Sequence, residues 1–131
     1  MQWLKNIVDG YLLDANYLCR YFLKDQQEQY DLAKEIIDNH RCSLKFEVLA
    51  EVVYVMENLY KIPRQEITTV LLEMMEMNNI KTTDERVLKE ALFAYSEKPK
   101  LDFVDCLLYG YFKSGYKVAS FDKKLLKKIS A

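Results

Sequence analysis

The sequence predicts an α/β fold: a small central parallel sheet flanked by helices as a three-layer sandwich. Three observations carry this. Short apolar runs alternate along the chain with longer stretches of helical periodicity, the pattern of parallel strands joined by helical crossovers. There are only 3 Gly and 2 Pro, too few for an all-β fold built on many tight turns. The chain has 131 residues, 50% hydrophobic and 30% charged. That fits one domain with a core large enough to fold without metal or disulfide staples.

The elements follow in order. Tyr11-Leu12-Leu13 is a short apolar run after Gly10 with Asp14 at its end, and reads as a buried strand whose carboxyl end carries an acid. Asn16 is placed to cap a short helix running to Lys24. Asp25-Gln26-Gln27-Glu28 opens a second helix, with Tyr30, Ala33, Ile36 and Ile37 on its inner face. Cys42-Ser43-Leu44 is a short strand. Glu47 to Tyr60 is helical and apolar on more than one face, which predicts deep burial. Pro63 starts another helix at a position where proline is tolerated, and Met74, Met75 and Met77 read as core filler. Ile80 marks a short strand, and Asp84 to Ser96 an amphipathic helix. A further helix spans Asp102 to Lys113, ending near Gly115. Lys117-Val118-Ala119-Ser120 reads as a fourth strand, and Asp122 heads a last short helix. In such sheets the functional site lies at the carboxyl ends of the strands.

Charge is unevenly placed. The whole chain carries a net charge of -1. Its last 34 residues hold 8 Lys against 3 Asp, while the preceding 97 hold 11 basic and 17 acidic residues. A solvated lysine surface explains the basic end, and so does contact with a phosphate backbone. The three cysteines form no CxxC pair, and an odd number closes no disulfide set, which suits a reducing compartment. The opening residues lack a signal peptide, and no apolar run approaches the roughly 18 residues of a membrane span. A cytoplasmic protein is the expectation. His40 is the sole histidine and lies in a polar context, so it reads as a surface or helix-end residue rather than a ligand or base. No glycine-rich phosphate loop occurs.

The acids are more informative. Asp14, Glu51 and Asp105 sit in strongly apolar surroundings: YLLDAN, VLAEVVYVM and DFVDCLLYGYF. A buried carboxylate costs several kcal/mol unless it is paired, hydrogen-bonded, protonated or bound to a cation. Arg20 is near enough in sequence to pair with Asp14, but no Lys or Arg lies between Lys45 and Lys61, the stretch holding Glu47, Glu51 and Glu57. A shared divalent cation relieves all of these costs, and all-oxygen ligands favour Mg²⁺ or Mn²⁺ over zinc. Each acid also has a structural use. Asp102 and Asp105 are spaced as a capping box, Asp122 as a helix cap, and Asp14 as a turn former. Glu51, mid-helix, has the weakest such use.

The ordered segments LLDAN with YLCRYFLKD, EVLAEVVYVMENLYKIPRQEI, and LDFVDCLLYGYFKSGYKVASFDKKL resemble the PIN domain, closest in pattern to VapC-type toxins of toxin–antitoxin pairs. The resemblance runs from about Tyr11 to Lys128. It implies a PIN-like three-layer sandwich and a metal-dependent endoribonuclease using Mg²⁺ or Mn²⁺. By position, Asp14, Glu51, Asp105 and Asp122 match the family's catalytic and metal-binding acids. Asn16 matches a polar residue supporting the first aspartate, and Ser120 stands where the family often has Thr or Ser. Glu47 and Asp102 are extra acids near the site. Crowding the carboxylates without metal is expected to raise at least one pKa. Lys117, Lys123, Lys124, Lys127 and Lys128 are the expected RNA-backbone contacts. The family further implies an antitoxin protein that inserts an Arg or Lys into the acidic pocket. It also implies a homodimer, for which the apolar residues of the Pro63 to Met77 helix are candidates, although core packing explains them equally well. Residues 1–9 are an N-terminal extension ahead of the first strand, with Trp3, Leu4, Ile7 and Val8 as a candidate docking face. Two other readings stand beside this one: a non-catalytic PIN-like module that binds RNA or protein, and a phosphotransfer domain with Asp14 as acceptor. The last lacks the second acid such enzymes need near it.

Overall fold

The computed structural model describes residues 10–130. Among them are seven helices and three short strands. In chain order these are β1 (Tyr11–Leu12), α1 (Ala15–Leu23), α2 (Gln27–Asn39), β2 (Cys42–Leu44), α3 (Phe46–Asn58), α4 (Arg64–Met75), β3 (Ile80–Thr82), α5 (Glu85–Glu97), α6 (Phe103–Lys113) and α7 (Lys123–Ser130). The N-terminal extension and its candidate docking face lie outside the described residues.

The strands form one parallel sheet in the order β1-β2-β3. Tyr11 pairs with Cys42, and Cys42 with Ile80. Two helices cross over between each pair, because parallel neighbours cannot be joined by a tight turn. All three carboxyl ends therefore lie along one edge of the sheet. The architecture is the expected α/β sandwich, dominated by its helices.

Periodicity sets the core. On α3, Phe46, Leu49, Val52, Val53 and Met56 are buried. On α4, Ile67, Leu71, Met74 and Met75 are buried, so core packing accounts for the helix suggested as a dimer face. Cys19, Cys42 and Cys106 are all buried and free. The closest packing is between α5 and α6. A Cβ on Gly110 would stand 2.4 Å from the Val87 carbonyl oxygen, so only glycine lets the two backbones approach this far.

Four local expectations are corrected. The run at residues 11–13 is not a buried strand: Tyr11 is 47% and Leu12 68% exposed, and only Leu13 enters the core. Among the described residues β1 is an edge strand, and Tyr11 meets the His40 ring edge-on at 5.2 Å rather than entering the core. Residues 117–120 are not a strand. Val118 and Ser120 are half-buried between exposed Lys117 and Ala119, so the alternation is real. It reports an extended chain, however, and a strand also needs a hydrogen-bonding neighbour. The first helix is capped by Asp14 rather than Asn16: the Asp14 carboxylate accepts from the Tyr17 N–H at 2.9 Å. Finally, α3 is not buried all round, since Glu47, Glu51, Tyr54 and Asn58 form an exposed stripe at helical spacing.

Because the α5–α6 contact tolerates no side chain, Gly110→Ala should lower unfolding stability by about 1–3 kcal/mol. Urea denaturation checks this, with a lowered midpoint at unchanged slope.

Candidate functional site

The parallel sheet places the first acids. Asp14 lies two residues past the end of β1, and Glu47 and Glu51 occupy the first two turns after neighbouring β2. Asp14 is exposed, held by its cap bond to Tyr17, and Asn16 is exposed on the first turn of α1. Glu51 is exposed as well. Its apolar sequence neighbours face the core while it points outward, so burial is not what singles it out. Glu51 and Asp14 both act on the Cys19 thiol, whose pKa is raised first by burial and then, against the lowering influence of Arg20, by the charges of Glu51, Asp25 and Asp14. The two acids thus share one neighbourhood. The suggested Arg20–Asp14 pair does not form: Arg20 bonds both oxygens of Asp25 at 2.8 and 3.0 Å and donates to the Tyr60 hydroxyl.

A second group gathers at the start of α6. The Asp102 carboxylate caps this helix, accepting from the Asp105 N–H at 2.8 Å. The Asp105 carboxyl stands beside it, with its pKa pushed above the ordinary 3.8. Burial is the largest cause, followed by the negative charges of Asp102 and Asp122. Asp122 is therefore close in space although 17 positions away in sequence. Its own carboxylate caps α7, accepting from the Lys124 and Leu125 N–H groups, while Ser120 Oγ accepts from the Asp122 N–H.

The structure thus brings the predicted acids into two groups, Asp14 with Glu51 and Asp105 with Asp102 and Asp122. Among the described residues none of the five pairs with a Lys or Arg, and Glu51 has no hydrogen-bond partner. Asp14 and Asp122 each use one oxygen for a helix cap and leave the other without a partner. As the side chains stand, no three His, Cys, Asp or Glu residues among those described are close enough to hold a metal ion. The chemistry of the set nevertheless suits a hard divalent cation: every donor is a carboxylate oxygen, and the repulsion around Asp105 is of the kind such a cation relieves.

One positioning group had no signal in the sequence beyond Glu57 and Arg64 lying seven residues apart. Arg64 donates to Glu57 at 2.7 Å and to the Tyr95, Lys98 and Leu101 carbonyls, with its guanidinium 4.3 Å from the centre of the Tyr95 ring. Tyr95 donates back to Glu57 at 2.9 Å. Burial and this bond keep the phenol protonated well above its ordinary range. The cluster fixes the loop that delivers Asp102 and Asp105.

The expected basic face is present in outline. Lys117, Lys123, Lys124 and Lys127 are exposed, whereas Lys128 is half-buried with its ammonium 4.8 Å from the Tyr109 ring centre. Leu125 anchors α7 in the core. His40 ends α2, exposed, with Glu35 nearby, as expected of a helix-end residue. Burial pushes the Cys106 thiol up to about 12, which leaves it unreactive. No helix among the described residues is long and apolar enough to cross a membrane.

A family model described as PIN domain matches residues 11–130. PIN domains are generally nucleases. No curated protein and no solved structure matches the chain at a significant level.

Two outcomes follow from the site's geometry. Arg64→Met leaves Glu57 with only the Tyr95 hydroxyl and takes a donor from three carbonyls, and should destabilise the fold by about 3 kcal/mol in denaturant titration. Asp105→Asn should act oppositely in the presence of chelator. A carboxyl whose pKa is raised by folding binds its proton more tightly in the native state. Its share of stability is therefore greatest at acid pH and falls as pH rises above 3.8. The amide removes that loss, so the variant's Tm should exceed the parent's at pH 7, and the two should converge near pH 3.

Proposed function

This chain belongs to the PIN domain family, and from that premise we propose that it is a metal-dependent endoribonuclease, the toxin of a toxin–antitoxin pair of VapC type. The observation that carries the reading is the convergence of Asp102, Asp105 and Asp122 from two separate segments, with Asp105 held above its ordinary pKa and no basic side chain supplied to relieve it. A structural role alone gives no reason for an unneutralised carboxylate cluster, since it weakens the fold.

In this reading Asp14, Glu51, Asp105 and Asp122 hold one or two divalent cations, Mg²⁺ or Mn²⁺. Held by these carboxylates, such a cation would supply Lewis-acid chemistry, lowering the pKa of water and offsetting negative charge at a phosphate. The chain's own residues do the positioning. Helix-cap bonds at Asp14 and Asp122 lock one oxygen of each carboxylate and aim the other outward. The Asp102 carboxylate is locked by the same device, accepting from the Asp105 backbone N–H. Ser120 steadies Asp122, while Asn16 and Glu47 border Asp14 and Glu51. Lys117, Lys123, Lys124 and Lys127 draw the RNA backbone towards a site that would otherwise repel it. Lys128 joins them less directly, because its ammonium lies over Tyr109. An antitoxin segment offering one Arg or Lys would satisfy the same carboxylates and so inhibit. Assembly as a homodimer in the cytoplasm completes the reading.

A second reading, a PIN-like module that binds RNA or protein without cutting, has one observation in its favour: three of the acids already serve as helix caps. Asparagine separates the two, because it caps a helix about as well as aspartate but does not replace it as an anionic metal ligand. Asp14→Asn and Asp122→Asn should change Tm little, yet each should lower RNA cleavage with Mg²⁺ or Mn²⁺ by about 100-fold or more. Chelator should abolish parental cleavage. Cleavage by the asparagine variants at the parental rate would remove the nuclease reading of these acids.

A further inference from the structure

Helix α7 has a small hold on the rest of the molecule. It is eight residues long, too short to persist by itself in water. Leu125 is its one buried residue. Yet α7 carries Asp122 at its cap, and that carboxylate must stand near Asp105 for the second acid group to exist. The two acids repel, so their own interaction drives α7 away from α6. Another contact has to oppose it.

Lys128 supplies one. Lys123, Lys124 and Lys127 of the same helix are exposed, whereas Lys128 is half-buried with its ammonium 4.8 Å from the centre of the Tyr109 ring. Tyr109 lies four positions after Asp105 on α6, one turn along the same face. The two helices therefore meet at two places: like charges at Asp105 and Asp122, and an attractive cation–π contact at Tyr109 and Lys128. The Cys106 thiol lies within range of both sides: shifted first by burial, it also feels the charges of Asp105, Asp102 and Lys128. Tyr109 is itself braced by Phe112, with ring centres 6.4 Å apart.

We propose that Tyr109 and Lys128 are positioning residues: their cation–π contact latches α7 onto α6 and so holds Asp122 near Asp105 for a shared divalent cation. For its metal this rests on the metal-dependent nuclease reading. The latch reverses the sign that charge alone gives to Lys128. A lysine acting only through its charge repels a nearby cation, and its loss would tighten metal binding. A lysine acting through α7 keeps a metal ligand in place, and its loss weakens binding, as for other groups that orient ligands.

Mn²⁺ titration of the full chain, followed by electron paramagnetic resonance of the free ion, reads the difference. Lys128→Gln and Tyr109→Leu should each raise the Mn²⁺ Kd by about tenfold or more. Lys128→Arg and Tyr109→Phe keep a cation over a ring, and should stay within about twofold of the parent. An unchanged or lowered Kd in Lys128→Gln or Tyr109→Leu, or an equal loss in the conservative variants, overturns the proposal. Backbone order parameters measured by NMR in chelator separate it from the metal reading. Those of Lys124 and Leu125, whose N–H groups donate to Asp122, should fall from about 0.85 to below about 0.6 in Lys128→Gln and Tyr109→Leu, and hold in Lys128→Arg. A parent that binds no Mn²⁺, while the order parameters fall in this way, overturns the metal reading and keeps the latch. Order parameters that stay at the parental value overturn the latch, whatever the metal does.

Discussion

The Arg64 guanidinium is the constraint on which the acid-bearing half of the structure depends. It lies where α3, α4, α5 and the start of α6 meet, and satisfies Glu57 together with three carbonyls that no regular element would pair. Arginine is the side chain suited to this, with several donors in a rigid fork and a flat face that stacks on Tyr95. Lysine in its place would offer one point charge and no stacking plane. The loop it clamps ends in Asp102, the cap of α6, so a structural ion pair at one end of the helix pair determines where two carboxylates stand.

Helix capping then serves two purposes at once. Asp14, Asp102 and Asp122 each accept from backbone N–H groups at the start of a helix, which favours negative charge by its dipole as well as by hydrogen bonding. Such bonds fix a short side chain in one rotamer, leaving its second oxygen at a defined place without help from a neighbouring cation. Three carboxylates are thus held in place by cap bonds rather than by salt bridges. Asp105 bears the cost. It gains no cap bond from its own side chain, is partly buried, and lies beside two like charges. The fold is thereby weakened at Asp105, a cost that a bound cation would relieve in the proposed reading.

Much of this was legible from residue order, because local rules and the global fold agree over most of the chain. The alternation of short apolar runs with helical periods marked the three strands and seven helices that form, together with a fourth strand at residues 117–120 that does not, and the spacing of Asp102 and Asp105 marked the cap. What misled was treating apolar context as burial. Glu51 is surrounded by Leu, Ala and Val in sequence, yet helical geometry turns those inward and Glu51 outward. Tyr11 and Leu12 are apolar yet exposed, and only Leu13 of that run enters the core. Residues 117–120 have the period of a strand but no neighbour to pair with, and pairing is a property of the fold rather than of the segment. The Arg64 cluster was invisible for the same reason, since three of its four acceptors are carbonyls, which carry no signature in side-chain identity.

The arrangement of the two carboxylate groups follows from these origins. Asp14 and Glu51 depend on the sheet, because β1 and β2 end at the same edge and each hands the chain to a helix bearing an acid. Asp102, Asp105 and Asp122 depend on the helical half, through the Arg64 clamp and the docking of α7 by Leu125. Neither group answers its own charge, and the chain's excess lysines lie beside the second group on exposed positions rather than within it. In the proposed reading that positive charge comes from a ligand, either a hard cation or a basic side chain from a partner. Both would act by the same electrostatics, and a partner supplying such a side chain would compete with the metal for the same carboxylates.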